Sequence, residues 1–115
     1  MGYAAAMMEE ALSISLLAER FRPVFEAHAV QKAVLFGSHS RGDATRHSDV
    51  DLILIQNTDK PFFARYDGVL HALNRATPGP AVEALIYTPE ELDAMAGNPF
   101  IKTAMSEGKV IYESG

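Results

Sequence analysis

The sequence predicts an α+β (α/β-like) fold, a small mixed β-sheet packed with helices. Two observations carry that expectation. Short apolar runs rich in β-branched and aromatic residues alternate with segments whose apolar residues recur at helical spacing. Turn and cap signals separate them, in the order α-β-(short α)-β-α-β-α-α-β. At 115 residues, 48% hydrophobic and 22% charged, the chain suits one soluble globular domain, residues 1–115. A core of that size needs no covalent staples.

The elements follow in order. From about Ala4 to His28, the residues Ile14, Leu17, Phe21, Val24 and Phe25 are spaced as on a helix, with Pro23 expected to kink or restart it. Ala33 to Phe36 reads as a buried strand stopped by Gly37. Val50 to Ile55 is a second such run, broken only by Asp51. Pro61 then opens a helix, expected to run to residue 77, with Phe62, Tyr66, Val69, Leu70 and Leu73 on one face. Thr77-Pro78-Gly79-Pro80 is a turn, and Ala81 to Tyr87 a third strand. Its alternation puts Val82, Ala84 and Ile86 on one face and Glu83, Leu85 and Tyr87 on the other. Thr88-Pro89-Glu90-Glu91 has the form of a capping box, and Asn98-Pro99 starts a last helix to about Glu107. Lys109 to Tyr112 is a short final strand after Gly108. Met7, Met8, Met95 and Met105 are expected to fill the core.

Composition narrows the function. With no cysteine there is no disulfide framework, cysteine zinc site or thiol nucleophile, which fits a reducing, cytoplasmic setting. No apolar run reaches the ~18–20 residues of a membrane span, and Met1 to Glu10 lacks a signal peptide's basic start. The formal charge of −5, with ten scattered basic residues, argues against direct nucleic-acid binding.

The stretch that carries chemistry is Leu35 to Leu52, between the first two strands. Asp49 and Asp51, two apart on a strand, would face the same way with Cα atoms about 6.6 Å apart. At an effective dielectric near 20 their repulsion is on the order of 2.5 kcal/mol, less where solvent screens it. A divalent cation reverses that sign, and oxygen ligands suit Mg²⁺ or Mn²⁺. Asp-x-Asp alone equally suits a solvated strand end. Gly37-Ser38 lets the backbone turn sharply and offers a hydroxyl and amides to a phosphate, although most Gly-Ser pairs are ordinary turns. Together they form Gly-Ser-x10-Asp-x-Asp, a spacing that arises by chance in on the order of one per several hundred chains of this length.

This segment resembles the signature of the polymerase-β-like nucleotidyltransferases. It is most similar to the minimal nucleotidyltransferases (MNT), the antitoxins encoded beside HEPN-domain toxins. The likeness extends over residues 31 to 113. It implies a polymerase-β-type fold in which Gly37 and Ser38 hold the β- and γ-phosphates of a nucleoside triphosphate. It also implies that Asp49 and Asp51 ligate metal, and that a third carboxylate stands at Glu83, where relatives usually carry Asp. Ser40 departs from a frequent alanine, and Arg41 could meet the γ-phosphate. His39, Arg46 and His47 lie near the site in sequence without a comparable pattern.

The implied function is Mg²⁺-dependent transfer of AMP from ATP to a hydroxyl, a tyrosine of a partner HEPN toxin, which the chain thereby neutralises as antitoxin. The alternatives are a catalytically weak fold that neutralises a toxin by contact, and a stand-alone enzyme acting on a small molecule. Base preference and oligomeric state stay open at this level.

Overall fold

The structure, a computed structural model, describes residues 13–42, 44, 48–77 and 79–114. Helix α1 (Ile14–Ala27) leads into β1 (Val30–Phe36), and a single helical turn, α2 (Ser38–Arg41), precedes β2 (Val50–Gln56). A 3₁₀ segment (Phe62–Tyr66), α3 (Val69–Ala76), β3 (Val82–Tyr87), α4 (Pro89–Ala94), α5 (Pro99–Glu107) and β4 (Lys109–Glu113) complete the order. The four strands form one mixed sheet in the order β3-β2-β1-β4, with β1 antiparallel to both neighbours and β2 parallel to β3.

Alternation along each strand assigns its two faces. Ala33, Leu35, Leu52, Leu54, Val82 and Ile86 meet Leu17, Phe21 and Phe25 of α1 and Val69 and Leu73 of α3 in the main core. Val34 and Ile53 meet Ile101 and Ala104 of α5 on the opposite face, with Leu85, Leu92, Met95 and Met105 around them. The cluster on the α4/α5 side is the smaller one, and its carboxyl-bearing end is the part relevant to function.

Two expectations are corrected, and part of a third falls outside the described residues. The first helix is described from Ile14, and the stretch from Ala4 to Leu12, with Met7 and Met8, lies outside the described residues. Pro23 neither breaks nor restarts α1. It sits on the exposed side, opposite the buried Leu17, Phe21 and Phe25, so water can satisfy the carbonyl its missing N–H leaves free. The helix expected from Pro61 to Thr77 is two pieces. The 3₁₀ segment ends at Tyr66 with Asp67 as its cap, and Gly68, at φ 78°, starts α3 in a conformation closed to most side chains.

That break turns Arg65 inward. Its side chain is 6% exposed and donates to Lys60 O (2.9 Å), to Ile86 O (3.1 Å) and to both carboxylate oxygens of Glu91. Glu91 is also the capping-box residue of α4, accepting from the Thr88 N–H while its own N–H donates to Thr88 Oγ1. Tyr66 Oη accepts from Ile86 N–H, and Asn74 brackets Val82 through both backbone groups. The outer edge of β3 is therefore occupied by side chains, which blocks strand addition there.

Candidate active site

Gly37 closes β1 at φ 76° and ψ −154°, a region open essentially to glycine alone. Its carbonyl accepts from Ser40 N–H (3.1 Å), Arg41 N–H (3.2 Å) and Ser40 Oγ (2.9 Å), which fixes the turn into α2. A Cβ at position 37 would stand 2.5 Å from Asp51 Oδ2. The glycine is thus the space in which the Asp51 carboxylate lies.

Register supplies the rest. Phe36 pairs with Asp51 across the antiparallel β1–β2 ladder, and Asp51 pairs with Glu83 across the parallel β2–β3 ladder. The three residues form one row on the α4/α5 face, with neighbouring backbones ~4.8 Å apart. They line a hollow of about 280 Å³ together with Leu85 and Phe100. Asp49 does not belong to the ladder, which begins at Val50, and it is exposed. Burial pushes the Asp51 carboxyl above the usual carboxylate range. The charge of Glu83 adds to that shift, then that of Asp49, while His39 and Arg41 oppose it. Asp51 therefore has Glu83 as its stronger acidic neighbour, where the spacing in the sequence pairs it with Asp49.

His39 is nearly buried, and its Nε2 hydrogen-bonds to the Ser48 carbonyl at 3.2 Å. Because a carbonyl only accepts, that nitrogen is the protonated one. The contact ties α2 to the backbone just before Asp49, a positioning role that no local pattern marks. Ser38 opens α2, and Arg41, on its last position, faces solvent within electrostatic reach of Asp51. Arg46 and His47 lie outside the described residues.

A divalent cation fits the donor set in chemical type. All three carboxylates offer hard oxygen ligands, and the repulsion from Glu83 and Asp49, which adds to the effect of burial in raising the Asp51 carboxyl, is of the sign a cation would offset. Among the described residues, no three carboxylate or imidazole groups converge on one point as the side chains stand.

The chain is also similar to known proteins. The chain is 27% identical to one candidate protein adenylyltransferase of Methanocaldococcus jannaschii over 85 residues, which are 72% of this chain and 79% of that protein. It is 34% identical to a second from the same organism, again over 85 residues, 70% of this chain and only 56% of that relative. In fold it is similar to a chain of a toxin–antitoxin crystal structure with AMP-PNP (TM-score 0.58, 18% identity, 84% and 73% of the two chains). It is also similar to a chain of the complex between the tri-AMPylated Shewanella oneidensis HEPN toxin and its MNT antitoxin (TM-score 0.59, 16% identity, 88% and 73%). The profile of the polymerase beta nucleotidyltransferase family matches residues 19–115, which span the turn at Gly37 and the row from Phe36 to Glu83, and the chain belongs to that family.

Proposed function

We propose that this chain transfers AMP from ATP to a hydroxyl of a partner protein in the cytoplasm, a tyrosine of a HEPN-domain toxin, and so acts as its antitoxin. The observation that carries the reading is the register row Phe36–Asp51–Glu83 beside the Gly37 turn, two carboxylates lining one hollow next to a glycine turn into α2. The candidate adenylyltransferase relatives and the toxin–antitoxin fold neighbours support the choice of AMP and of a protein acceptor.

In this reading the Ser38 hydroxyl and the amides of α2 hold the β- and γ-phosphates, and Arg41 adds positive charge beside them. Asp49, Asp51 and Glu83 are the residues that would hold Mg²⁺ or Mn²⁺. The ion, when bound, neutralises the triphosphate and stabilises charge on the oxygens being exchanged. Glu83 faces the hollow and accepts a hydrogen bond from the acceptor hydroxyl, orienting its oxygen toward the α-phosphorus. The new bond joins that oxygen to phosphorus as its proton passes to the Glu83 carboxylate, the bond to the bridging oxygen breaks, and pyrophosphate leaves. Positioning supplies most of the acceleration in such a step.

Incubation with α-labelled ATP, Mg²⁺ and lysate tests the proposal. A labelled protein band that yields labelled tyrosine, and that disappears with Asp51→Asn, is the expected result. A labelled small molecule would favour the stand-alone enzyme. ATP binding with no labelled product would favour neutralisation by contact.

A further inference from the structure

The hollow beside Asp51 and Glu83 has a second wall that the phosphate chemistry does not use. Phe36 and Phe100 both line it and pack edge to face, with centroids 5.7 Å apart and planes at 84°. Phe100 is 51% exposed, one of the few large apolar side chains among the described residues left open to water. Its position is built rather than incidental. Asn98 Oδ1 accepts from the Phe100 N–H at 2.9 Å, and Pro99 fixes the first turn of α5. The cap thus holds an exposed aromatic ring at the hollow that Asp51 and Glu83 also line.

We infer that Phe36 and Phe100 form the acceptor subsite, an aromatic wall that seats a planar phenolic ring and selects it over an aliphatic hydroxyl. This deepens the proposed transfer reaction and rests on it. The lining joins two carboxylates to the apolar side chains of Phe36, Leu85 and Phe100. A guest that satisfies it has an apolar ring and one hydroxyl directed at the carboxylates. A phenol meets both requirements. A nucleobase brings ring nitrogens that need hydrogen-bond donors, and no side chain lining the hollow is a donor. A serine or threonine side chain would reach the carboxylates but leave the aromatic wall wet. Stacked or edge-to-face rings are worth roughly three- to tenfold in affinity beyond their buried area.

The test is an NMR titration of the labelled full chain with AMP-PNP and Mg²⁺, and then with N-acetyl-tyrosinamide or N-acetyl-serinamide. N-acetyl-tyrosinamide should shift the amides of Phe36, Leu85 and Phe100 saturably, and N-acetyl-serinamide should not. Phe100→Leu keeps apolar volume for the fold but removes the ring. It should weaken N-acetyl-tyrosinamide roughly three- to tenfold and leave AMP-PNP affinity unchanged. Unaltered N-acetyl-tyrosinamide binding in that variant, no shifts in those amides, or equal binding of the two amides would overturn the inference. Loss of AMP-PNP affinity in Phe100→Leu would overturn it too, since the wall would then hold the base. Failure of the unmodified chain to bind AMP-PNP at all would instead count against the nucleotidyl-transfer reading beneath it.

Discussion

Replacing Gly37 by alanine separates two consequences of one turn. The backbone there sits at φ 76° and ψ −154°, and holding a side chain in that region costs about 1–3 kcal/mol. For a chain of this size that corresponds to a fall in Tm of roughly 4–12 °C. The added Cβ would also stand 2.5 Å from Asp51 Oδ2, where ordinary contact begins at 3.4 Å, so the carboxylate must move by about 0.9 Å. A carboxylate can swing aside cheaply, so this displacement adds little to the loss of stability. Its effect on chemistry is larger, because a misplacement near 1 Å in a reacting constellation costs on the order of a hundredfold in rate. Gly37→Ala should therefore melt several degrees early, keep its circular-dichroism spectrum at low temperature, and transfer AMP about a hundredfold more slowly. Thermal melts together with labelling from α-labelled ATP read both effects. A variant with unchanged Tm and a transfer rate within threefold of the parent would show that Gly37 is neither strained nor packed on Asp51.

Three further outcomes follow from the same geometry. Asp51→Asn should abolish transfer yet raise Tm at pH 7 in chelator. The native Asp51 carboxyl is held above its ordinary value, so its ionisation opposes folding, and the gain should shrink as pH falls through the raised native value and vanish well below 3.8, where the group is protonated in both states. Glu83→Gln should depress turnover far more than ATP affinity, whereas Glu83→Asp should retain activity; equal losses in KM and kcat would refute a role confined to the transfer step. Arg65 and the Thr88 amide hold the Glu91 carboxyl down to about 2, so its contribution is present above pH 4.5 and lost as pH falls toward 2. Glu91→Gln should flatten the stability profile in that window, and an acid limb identical to the parent's would sink the assignment.

Much of the fold is legible in short stretches of sequence because its causes are local. Period-two alternation in residues 30–36, 50–56 and 82–87 assigns each side chain to a face before any partner strand is known. The caps at Thr88-Pro89 and Asn98-Pro99 mark the starts of α4 and α5 through hydrogen bonds that span three residues or fewer. Gly-Ser-x10-Asp-x-Asp likewise marks the loop and the acidic strand start. Register is different. That Asp51 stands opposite Glu83, while Asp49 falls just outside the ladder, depends on pairing segments some thirty residues apart, and no local energy encodes that choice. The break at Gly68 escapes a helical pattern because the apolar spacing of Phe62, Tyr66, Val69 and Leu73 runs through it. Only packing against β3 shows Arg65 turned inward to Ile86 O and Glu91. His39 on the Ser48 carbonyl and Phe100 across Phe36 are contacts between separate elements as well. The sequence by itself determines which residues are able to do chemistry and which face each occupies. Tertiary structure decides which of them meet, because the cost of bringing distant segments together is recovered only once the whole sheet has formed.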